Sequence, residues 1–336
     1  MEPLHDAFLQ QAVACEGLES PFMGQLCRVL AQNLSRGTPL TDRLFDWTGD
    51  IGPRGDSLPL RVCGALHALH LNGDPVLAPV YPPHAASDDA LWQAVNRALQ
   101  DHADTIDRFI NSSPQTNEVR RASALIGAAH VIAQRFPNPM RLSELGASAG
   151  LNLNWDQFAL QIGDTQFGPA KPALTLTPDW SGPLPPKAAP QIIERRGVDL
   201  SPVTDATRLR AYLWSDQPHR LTLTDAALAL PAAPVDQGDA VDWLAPRLHH
   251  MSGQTHMIYT TIAWQYFPAA KQAEGLAKIE AAGATATTDT PLAFVQMEND
   301  GVGPGALLTL RLWPGDLNLT LGRVDFHGRW VDWQHS

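Results

Sequence analysis

The sequence predicts an α/β fold, in which a mostly parallel sheet is covered by helices, ends in an antiparallel hairpin and follows a helical N-terminal domain. Three observations predict this class. Helical spacing dominates residues 1–110, short apolar runs alternate with helical stretches after Pro139, and alternating strands flank a turn from Ala306 onward. Because a βαβα order is typical of parallel sheets, we expect a helical domain over residues 1–110 and a sheet domain over residues 111–336.

Capping residues begin the predicted helices of the N-terminal part. Ser20-Pro21 is typical of a helix start, with Ser20 as the N-cap, and predicts a helix over 22–33. Ser87 and the two aspartates after it predict a second helix, whose apolar residues keep helical spacing as far as Phe109. A third predicted helix begins at Asn117 or Glu118, runs through 122–135 and ends before two prolines.

Short apolar runs predict the strands of the sheet domain. Four such runs cover 140–145, 191–198, 255–262 and 291–297, and the helical stretches between them cover 151–158, 207–214, 241–248 and 269–282. Proline-rich chain at 161–190 interrupts this order and predicts an inserted small hairpin and loop. Alternating pieces on both sides of Pro314-Gly315-Asp316 predict the final hairpin.

Composition and charge argue against several classes of protein. The 336 residues carry a net charge of −11 without any basic run, so nucleic acid is not expected as a partner. No apolar run approaches the roughly 18 residues of a membrane span.

The cysteines and histidines predict neither disulfides nor a metal site. The three cysteines form no CxxC pair, and the start of the chain lacks a signal peptide's pattern, so we expect buried thiols in a cytoplasmic protein. His67 and His70 lack a third ligand, so no metal is expected. The oligomeric state stays open.

The stretch MRLSELGASAGLNLNWD, residues 140–156, supports two hypotheses about function. Gly146-x-Ser148-x-Gly150 fits the elbow that presents a nucleophilic serine in α/β hydrolases. That fold places several strands before the elbow, whereas helical chain precedes it here, and no oxyanion loop of the HGGG kind is present. His256 and His327 follow Ser148, so a serine hydrolase remains an alternative.

A glycine-rich turn between a strand and a helix also lets a ligand approach the backbone closely. Glu144 stands two positions before Gly146, at the end of the predicted strand. A carboxylate there can hold a cationic or hydroxyl-bearing ligand. The GxGxxG pattern of dinucleotide sites is absent. These features favour a cofactor other than a dinucleotide.

The segment ELGASAG resembles the first motif of class I S-adenosylmethionine-dependent methyltransferases, with Ser148 where the middle glycine is usual. RRGVDLSP, DQGDAVDWL and THMIYTTIAWQYF are similar to later motifs of that family, in the same order. The resemblance implies a Rossmann-like, methyltransferase-type sheet with S-adenosylmethionine as cofactor. It implies that Asp199 holds the ribose hydroxyls, that Asp239 meets the adenine amine, and that the loop binds through Glu144, Gly146, Ser148 and Gly150.

Almost the whole chain also resembles a bacterial family catalogued as domain of unknown function 2332. The segments QTNEVRRASALI, ELGASAGLNLNWD and IAWQYF carry this resemblance. The family has no established activity to carry over, so this resemblance supports the architecture and not a reaction.

Further polar and aromatic residues follow the predicted strands or precede the glycine loop. Candidates for substrate binding are Gln115, Arg121, Asn152, Asn154 and Trp264, and candidates for catalysis are Asn117, Glu118, Tyr266 and Glu298. Amides and arginines can bind carboxylates, and aromatic side chains at a sheet's ligand edge can stack on a substrate. Helix capping, core packing and polar turns are alternative roles for the same residues.

The sequence therefore predicts an S-adenosylmethionine-dependent methyltransferase acting on a small molecule or a protein. A serine hydrolase is one alternative. A non-catalytic protein that binds a ligand or partner through a degenerate methyltransferase fold is the other.

Overall fold

The chain forms two compact units in a computed structural model that describes residues 2–52 and 55–335. Unit 1 consists of residues 1–116 and 205–222, and unit 2 consists of residues 117–204 and 223–336. The segment 205–222 therefore belongs to unit 1 although the chain on both sides of it belongs to unit 2.

Within the described residues there are eleven α-helices. They are α1 (Pro3–Gly17), α2 (Pro21–Asn33), α3 (Pro39–Phe45), α4 (Leu58–Leu71), α5 (Asp88–Asp101), α6 (Ala103–Phe109), α7 (Ala122–Arg135), α8 (Ala206–Ala211), α9 (Pro218–Leu228), α10 (Ala240–Leu244) and α11 (Ala269–Gly283). Short 3-10 segments cover Ala78–Val80, Val119–Arg121, Leu151–Gln157, Ala245–Leu248 and Trp264–Tyr266.

Unit 1 is built from helices around an apolar core, and one local prediction about it was wrong. Ser20 is the N-cap of α2 and Pro21 its first residue, as predicted, but the Ser20 side chain donates to Asp216 Oδ1 at 2.5 Å and makes no capping bond. The helix predicted to extend from Ser87 to Phe109 is two helices, because His102 leaves the helical conformation and its ring bonds to an aspartate of another segment. Ser87 does cap α5, accepting from an amide at 3.2 Å. All three cysteines of this unit are buried and unpaired.

Unit 2 contains twelve strands in two sheets. They are β1 (Met140–Leu145), β2 (Phe158–Ile162), β3 (Thr165–Phe167), β4 (Leu174–Leu176), β5 (Asp179–Ser181), β6 (Ile192–Asp199), β7 (Val235–Gln237), β8 (Thr255–Thr261), β9 (Leu292–Glu298), β10 (Ala306–Trp313), β11 (Leu317–Val324) and β12 (Trp330–Trp333). The large sheet has nine strands in the order β5-β12-β11-β10-β9-β8-β1-β6-β7, and the small sheet has the order β3-β2-β4.

The large sheet is mostly parallel, which confirms the predicted α/β class. Strands β7, β6, β1, β8 and β9 run parallel, and β10, β11 and β12 continue the sheet in antiparallel order. The C-terminal hairpin is therefore confirmed. Strand β5 of the proline-rich stretch pairs with β12 at the far edge, so the predicted insertion contributes to both sheets.

Helices cover both faces of this sheet, and the side chains of β1 alternate between the two cores. Met140 and Leu142 join the core that includes α7, whereas Leu145 joins the core that includes α10 and α11. Because strand side chains alternate with a period of two, Glu144 points to the α7 face. The predicted helix over 151–158 is wrong: the chain forms a 3-10 segment and enters β2 at Phe158.

Candidate functional site

The order of the parallel strands reverses between β1 and β8. From β1 the chain continues to β6 and β7 on one side, and it then crosses to β8 and β9 on the other. The carboxyl ends of all five strands lie at one edge of the sheet, since the strands are parallel. In open α/β sheets, ligands bind at this edge where the strand order reverses. The loop after β1 occupies that position.

This loop, residues 146–150, needs glycine at both ends. Gly146 has φ +76° and Gly150 has φ +70°, in the left-handed region that favours glycine. A Cβ on Gly146 would overlap the Cβ of Ala263 in the loop after β8, and a Cβ on Gly150 would lie 2.7 Å from Val235 Cγ2. The loop is therefore packed tightly between β7 and the chain that follows β8.

Asp199, at the end of β6, fixes the loop. The Ser148 amide donates to Asp199 Oδ2 at 2.8 Å, and the Ser201 amide donates to Oδ1 at 2.9 Å. The Gly146 amide donates to the Val198 carbonyl oxygen at 2.9 Å. Both oxygens of the Asp199 carboxylate thus accept from backbone amides, one in the glycine loop and one just after β6.

Glu144 is 1% exposed, and its Oε2 atom has no hydrogen-bond partner among the described residues. Tyr259 is its register neighbour on β8, and the tyrosine hydroxyl donates to the Asn152 carbonyl oxygen at 3.3 Å. Burial raises the pKa of Glu144 well above its usual range, and the charge of Asp199 adds to the rise. Tyr259 and Arg121 lower the pKa of Glu144 by less.

The segment before α7 holds the chain that follows the loop. Asn117 Oδ1 accepts from the Leu151 amide at 2.8 Å, and the Glu118 carbonyl oxygen accepts from Asn152 Nδ2 at 3.1 Å. The Glu118 carboxylate accepts from Arg120 Nε at 3.2 Å. Asn117 and Glu118, predicted as catalytic candidates, therefore lie beside the loop and position its backbone.

Buried polar atoms without partners are concentrated in this part of the chain. Four of them lie within twelve consecutive positions, Glu144 Oε2, Ser148 Oγ, Asn152 Oδ1 and Trp155 Nε1. Since buried polar groups in folded proteins are nearly always hydrogen-bonded, such a group of unpartnered atoms is typical of a place where a ligand or water completes the bonding.

The Ser148 hydroxyl contacts no base. Its Oγ atom is among the unpartnered atoms, so neither His256 nor His327 bonds to it. His256 Nε2 instead bonds to Ser143 Oγ at 2.8 Å, on the opposite face of the sheet. A nucleophilic serine is activated by a base within hydrogen-bond reach, and this arrangement does not supply one at Ser148.

The remaining candidates before and after the loop have protein partners. Arg121 donates to the carbonyl oxygens of Thr261 at 3.2 Å and Phe326 at 2.9 Å. Asn154 Oδ1 accepts from Arg195 at 2.8 Å, next to the ion pair between Arg195 and an aspartate. Asn154 is thus part of a polar cluster that joins the 3-10 segment to β6. Gln115 belongs to unit 1.

Asp239, at the end of β7, caps α10. Its Oδ1 atom accepts from the amides of Val241 at 2.9 Å and Asp242 at 3.0 Å. Burial opposes ionisation of this carboxyl, but the two amides and the Lys271 ammonium lower the pKa of Asp239 overall. The carboxylate is therefore charged and partly exposed at the same edge of the sheet as the glycine loop.

Glu298, at the end of β9, holds the loop that follows β8. Its Oε1 atom accepts from the Thr260 hydroxyl and from the amides of Ala263 and Trp264, at 2.8–3.1 Å, and Oε2 accepts from the Gln265 amide at 3.3 Å. Burial raises the pKa of Glu298 in spite of these bonds. Glu298 is thus a partly buried acceptor for the loop's backbone.

The two aromatic candidates of this loop have different surroundings. Trp264 is buried and packs on Phe267 and Phe294, so its ring belongs to the core. Tyr266 is 64% exposed and presents its ring to solvent. Ile262 precedes them with φ +53°, an outlier for a β-branched residue. Backbone strain of this kind is concentrated at functional sites.

Two of these residues were not predicted from the sequence. Tyr259 adjoins Glu144 only because β1 and β8 pair in a particular register, and no sequence pattern fixes that register. Ile262 is an ordinary strand residue by composition, and its left-handed conformation occurs next to Ala263, which closely approaches Gly146. The available signal was the apolar segment 255–262 itself, which was predicted as a strand.

The fold and the site together define an α/β protein with a glycine-rich loop and a buried carboxyl group at the switch point of a parallel sheet. A family model described as "Uncharacterized protein conserved in bacteria (DUF2332)" matches residues 5–333, so the chain belongs to this family. A comparison with curated proteins found no match.

In the described part of the chain, every helix is too short or too polar to cross a bilayer. The same residues contain no group of three or more metal-ligating side chains.

Proposed function

We propose that the protein binds S-adenosylmethionine at the loop after β1 and transfers its methyl group to a small molecule or a protein. The observation that carries this proposal is the unpartnered, buried carboxyl oxygen of Glu144 beside Gly146 and Gly150. A buried carboxyl without a partner is unfavourable on its own and becomes favourable when a cationic ligand group completes it.

The charges at the edge of the sheet support this cofactor over a phosphate-bearing one. Glu144, Asp199 and Asp239 lie at or just after the ends of β1, β6 and β7, and three acidic side chains with no basic partner supplied by the loop are unfavourable for a pyrophosphate. They suit a ligand that presents an ammonium group, ribose hydroxyls and an adenine amine, all of which donate hydrogen bonds. Asp199 also accepts from the Ser148 amide, so a ligand at this position would lie directly against the loop.

The topology supports a Rossmann-like, methyltransferase-type sheet. Five parallel strands in the order β7-β6-β1-β8-β9 are followed by antiparallel strands, and the antiparallel end is the feature that the sequence resemblance implies. Methyl transfer is an in-line displacement, so holding the acceptor in line with the methyl group supplies much of the rate. A general base is needed only where the acceptor carries a proton.

The test is calorimetric titration of the full chain with S-adenosylmethionine and with S-adenosylhomocysteine. We expect saturable binding of both, and binding about 10- to 100-fold weaker in Glu144→Gln, since a hydrogen bond to a charged group contributes about 1.5–3 kcal/mol. Glu274→Gln makes the same substitution at an exposed position of α11 and serves as the control. Absence of binding by the unaltered protein would overturn the proposal.

A second experiment separates methyl transfer from ligand binding alone. Incubation with S-adenosylmethionine labelled in its methyl group, together with a bacterial extract, is expected to leave label on an acceptor. Binding without any transferred label would favour the non-catalytic alternative. Labelling of Ser148 by a serine-directed probe would favour the hydrolase instead.

A further inference from the structure

We infer that ligand binding at the glycine loop releases a proton from Glu144, so that cofactor affinity depends on pH. This inference rests on the proposed function and deepens it. Its basis is geometric: the Glu144 side chain is almost fully buried, one of its oxygens has no partner, and a second carboxylate, Asp199, lies at the end of the neighbouring strand.

The charged groups around Glu144 come from each element packed against it. Asp199 of β6 repels a negative charge there, whereas Tyr259 of β8 and Arg121, just before α7, favour it. The Arg121 guanidinium donates to the carbonyl oxygens of Thr261 and Phe326. Burial and the Asp199 charge therefore affect the pKa of Glu144 more than Arg121 does. In the absence of ligand, burial and the Asp199 charge therefore favour the neutral carboxylic acid form of Glu144.

Tyr259, the register neighbour of Glu144 on β8, has its own charged neighbours. Asp156 raises the pKa of the Tyr259 hydroxyl and Arg195 lowers it, while burial and Glu144 raise it more strongly. The hydroxyl consequently stays protonated, and its single proton is shared between the Asn152 carbonyl oxygen, at 3.3 Å, and Glu144. Tyr259 is therefore a neutral donor, which brings no positive charge to an ionised Glu144.

An S-adenosyl ligand brings the missing positive charge as the ammonium group of its amino acid part. A cation beside the carboxyl favours its ionised form, so the Glu144 proton passes to solvent and no covalent bond other than O–H is broken. Binding that releases one proton becomes about tenfold tighter for each unit of pH, as long as the ligand-free carboxyl is protonated. Affinity is thus expected to rise from acidic to neutral pH.

The experiment is calorimetric titration of the full chain with S-adenosylhomocysteine at one pH in buffers of different ionisation enthalpy. The slope of the observed binding enthalpy against the ionisation enthalpy of the buffer gives the number of protons released. We expect a value close to one. Glu144→Gln is expected to give a slope near zero. 5′-Methylthioadenosine, which lacks the amino acid part, is expected to give a slope near zero with the unaltered protein.

A measurement without a variant gives an independent answer. The infrared C=O stretch of a protonated carboxylic acid is expected in the ligand-free protein and is expected to vanish when S-adenosylhomocysteine binds. Binding with a zero slope, or an equal slope in Glu144→Gln, would overturn proton release while leaving the cofactor proposal intact. Absence of binding in every buffer would instead overturn the proposed function.

Discussion

Ser148 occupies the conformation that glycine occupies at the two ends of its loop. Its φ of +52° lies in the left-handed region, its amide is bound by Asp199, and its hydroxyl has no partner. The backbone bond keeps the residue in this conformation although a Cβ makes it unfavourable by roughly 1–2 kcal/mol. At the residue scale, the Ser148 amide therefore stabilises the loop through its bond to Asp199, whereas the Ser148 side chain makes the left-handed conformation unfavourable.

Replacing Ser148 by glycine is expected to stabilise the protein. The gain is about 0.5–1 kcal/mol in the free energy of unfolding, because relief of the left-handed strain exceeds the added entropy of glycine in the unfolded chain. Chemical denaturation measures it, and affinity for S-adenosylhomocysteine is expected to stay within about fivefold, since less than about 1 kcal/mol is involved.

Two matched substitutions control this prediction. Ser148→Ala removes the hydroxyl but keeps the strain, so it is expected to bring no gain in stability. Gly146→Ala is expected to cost about 2 kcal/mol or more, because it combines a left-handed φ with overlap on Ala263. A loss of stability in Ser148→Gly would mean that the hydroxyl contributes to the fold, contrary to the contacts described above.

At the element scale, the loop after β8 depends on a single side chain of β9. Glu298 accepts from one hydroxyl and from the amides of Ala263, Trp264 and Gln265. These amides belong to a segment that begins with the strained Ile262 and lies against Gly146. One partly buried carboxyl group thus holds the loop after β8, which packs against the glycine loop at Gly146.

Removing this carboxyl is expected to destabilise the protein more than neutralising it. Glu298→Ala leaves buried amides without an acceptor and is expected to cost about 2–4 kcal/mol, whereas Glu298→Gln keeps one oxygen and is expected to cost about half as much. Thermal and urea unfolding measure both, with Glu274→Ala on the surface of α11 as control. Unchanged stability in Glu298→Gln together with lost activity would instead assign Glu298 a role as general base.

Strands were easier to predict from this sequence than helices. The predicted strand 140–145 has the bounds of β1, and the predicted strands 191–198, 255–262 and 291–297 each differ from the observed ones by one residue, because turn residues bound the apolar runs. The segment 151–157 keeps helical spacing of apolar residues, but Asn152 and Asn154 bond through their side chains to backbone and to Arg195. Such bonds compete with helix formation, and a periodic pattern does not reveal them.

At the scale of the whole molecule, long-range pairing is the part that the sequence could not supply. The stretch 205–222 reads as one more helix of the sheet domain, yet it belongs to unit 1, where Asp216 bonds to Ser20. Strand β5 has only three residues, and its partner β12 lies far along the chain. Neither contact leaves a local pattern, since each depends on groups brought together by folding.

The candidate site likewise has one part that the sequence predicted and another part that depends on long-range pairing. A continuous motif placed Glu144, Gly146, Ser148 and Gly150 together, and the structure adds the bond from Ser148 to Asp199 and the position of Tyr259 beside Glu144. These additions follow from the register of β1 against β6 and β8. The assignment of the site to S-adenosylmethionine stays a prediction, and its location in the whole chain can be tested separately from its chemistry.

Hydrogen exchange of the full chain with and without S-adenosylhomocysteine tests that location. Amides of 146–150, 199–204 and 262–267 are expected to exchange more slowly with ligand, because these loops follow β1, β6 and β8 at the carboxyl edge of the sheet. The turn at 314–316 serves as an internal control: Trp313 pairs with Leu292, the first residue of β9, so this turn lies at the amino edge. Its exchange is expected to be unchanged. Protection of that turn, with none at the three loops, would place the ligand at the opposite edge of the sheet and contradict a site at the switch point.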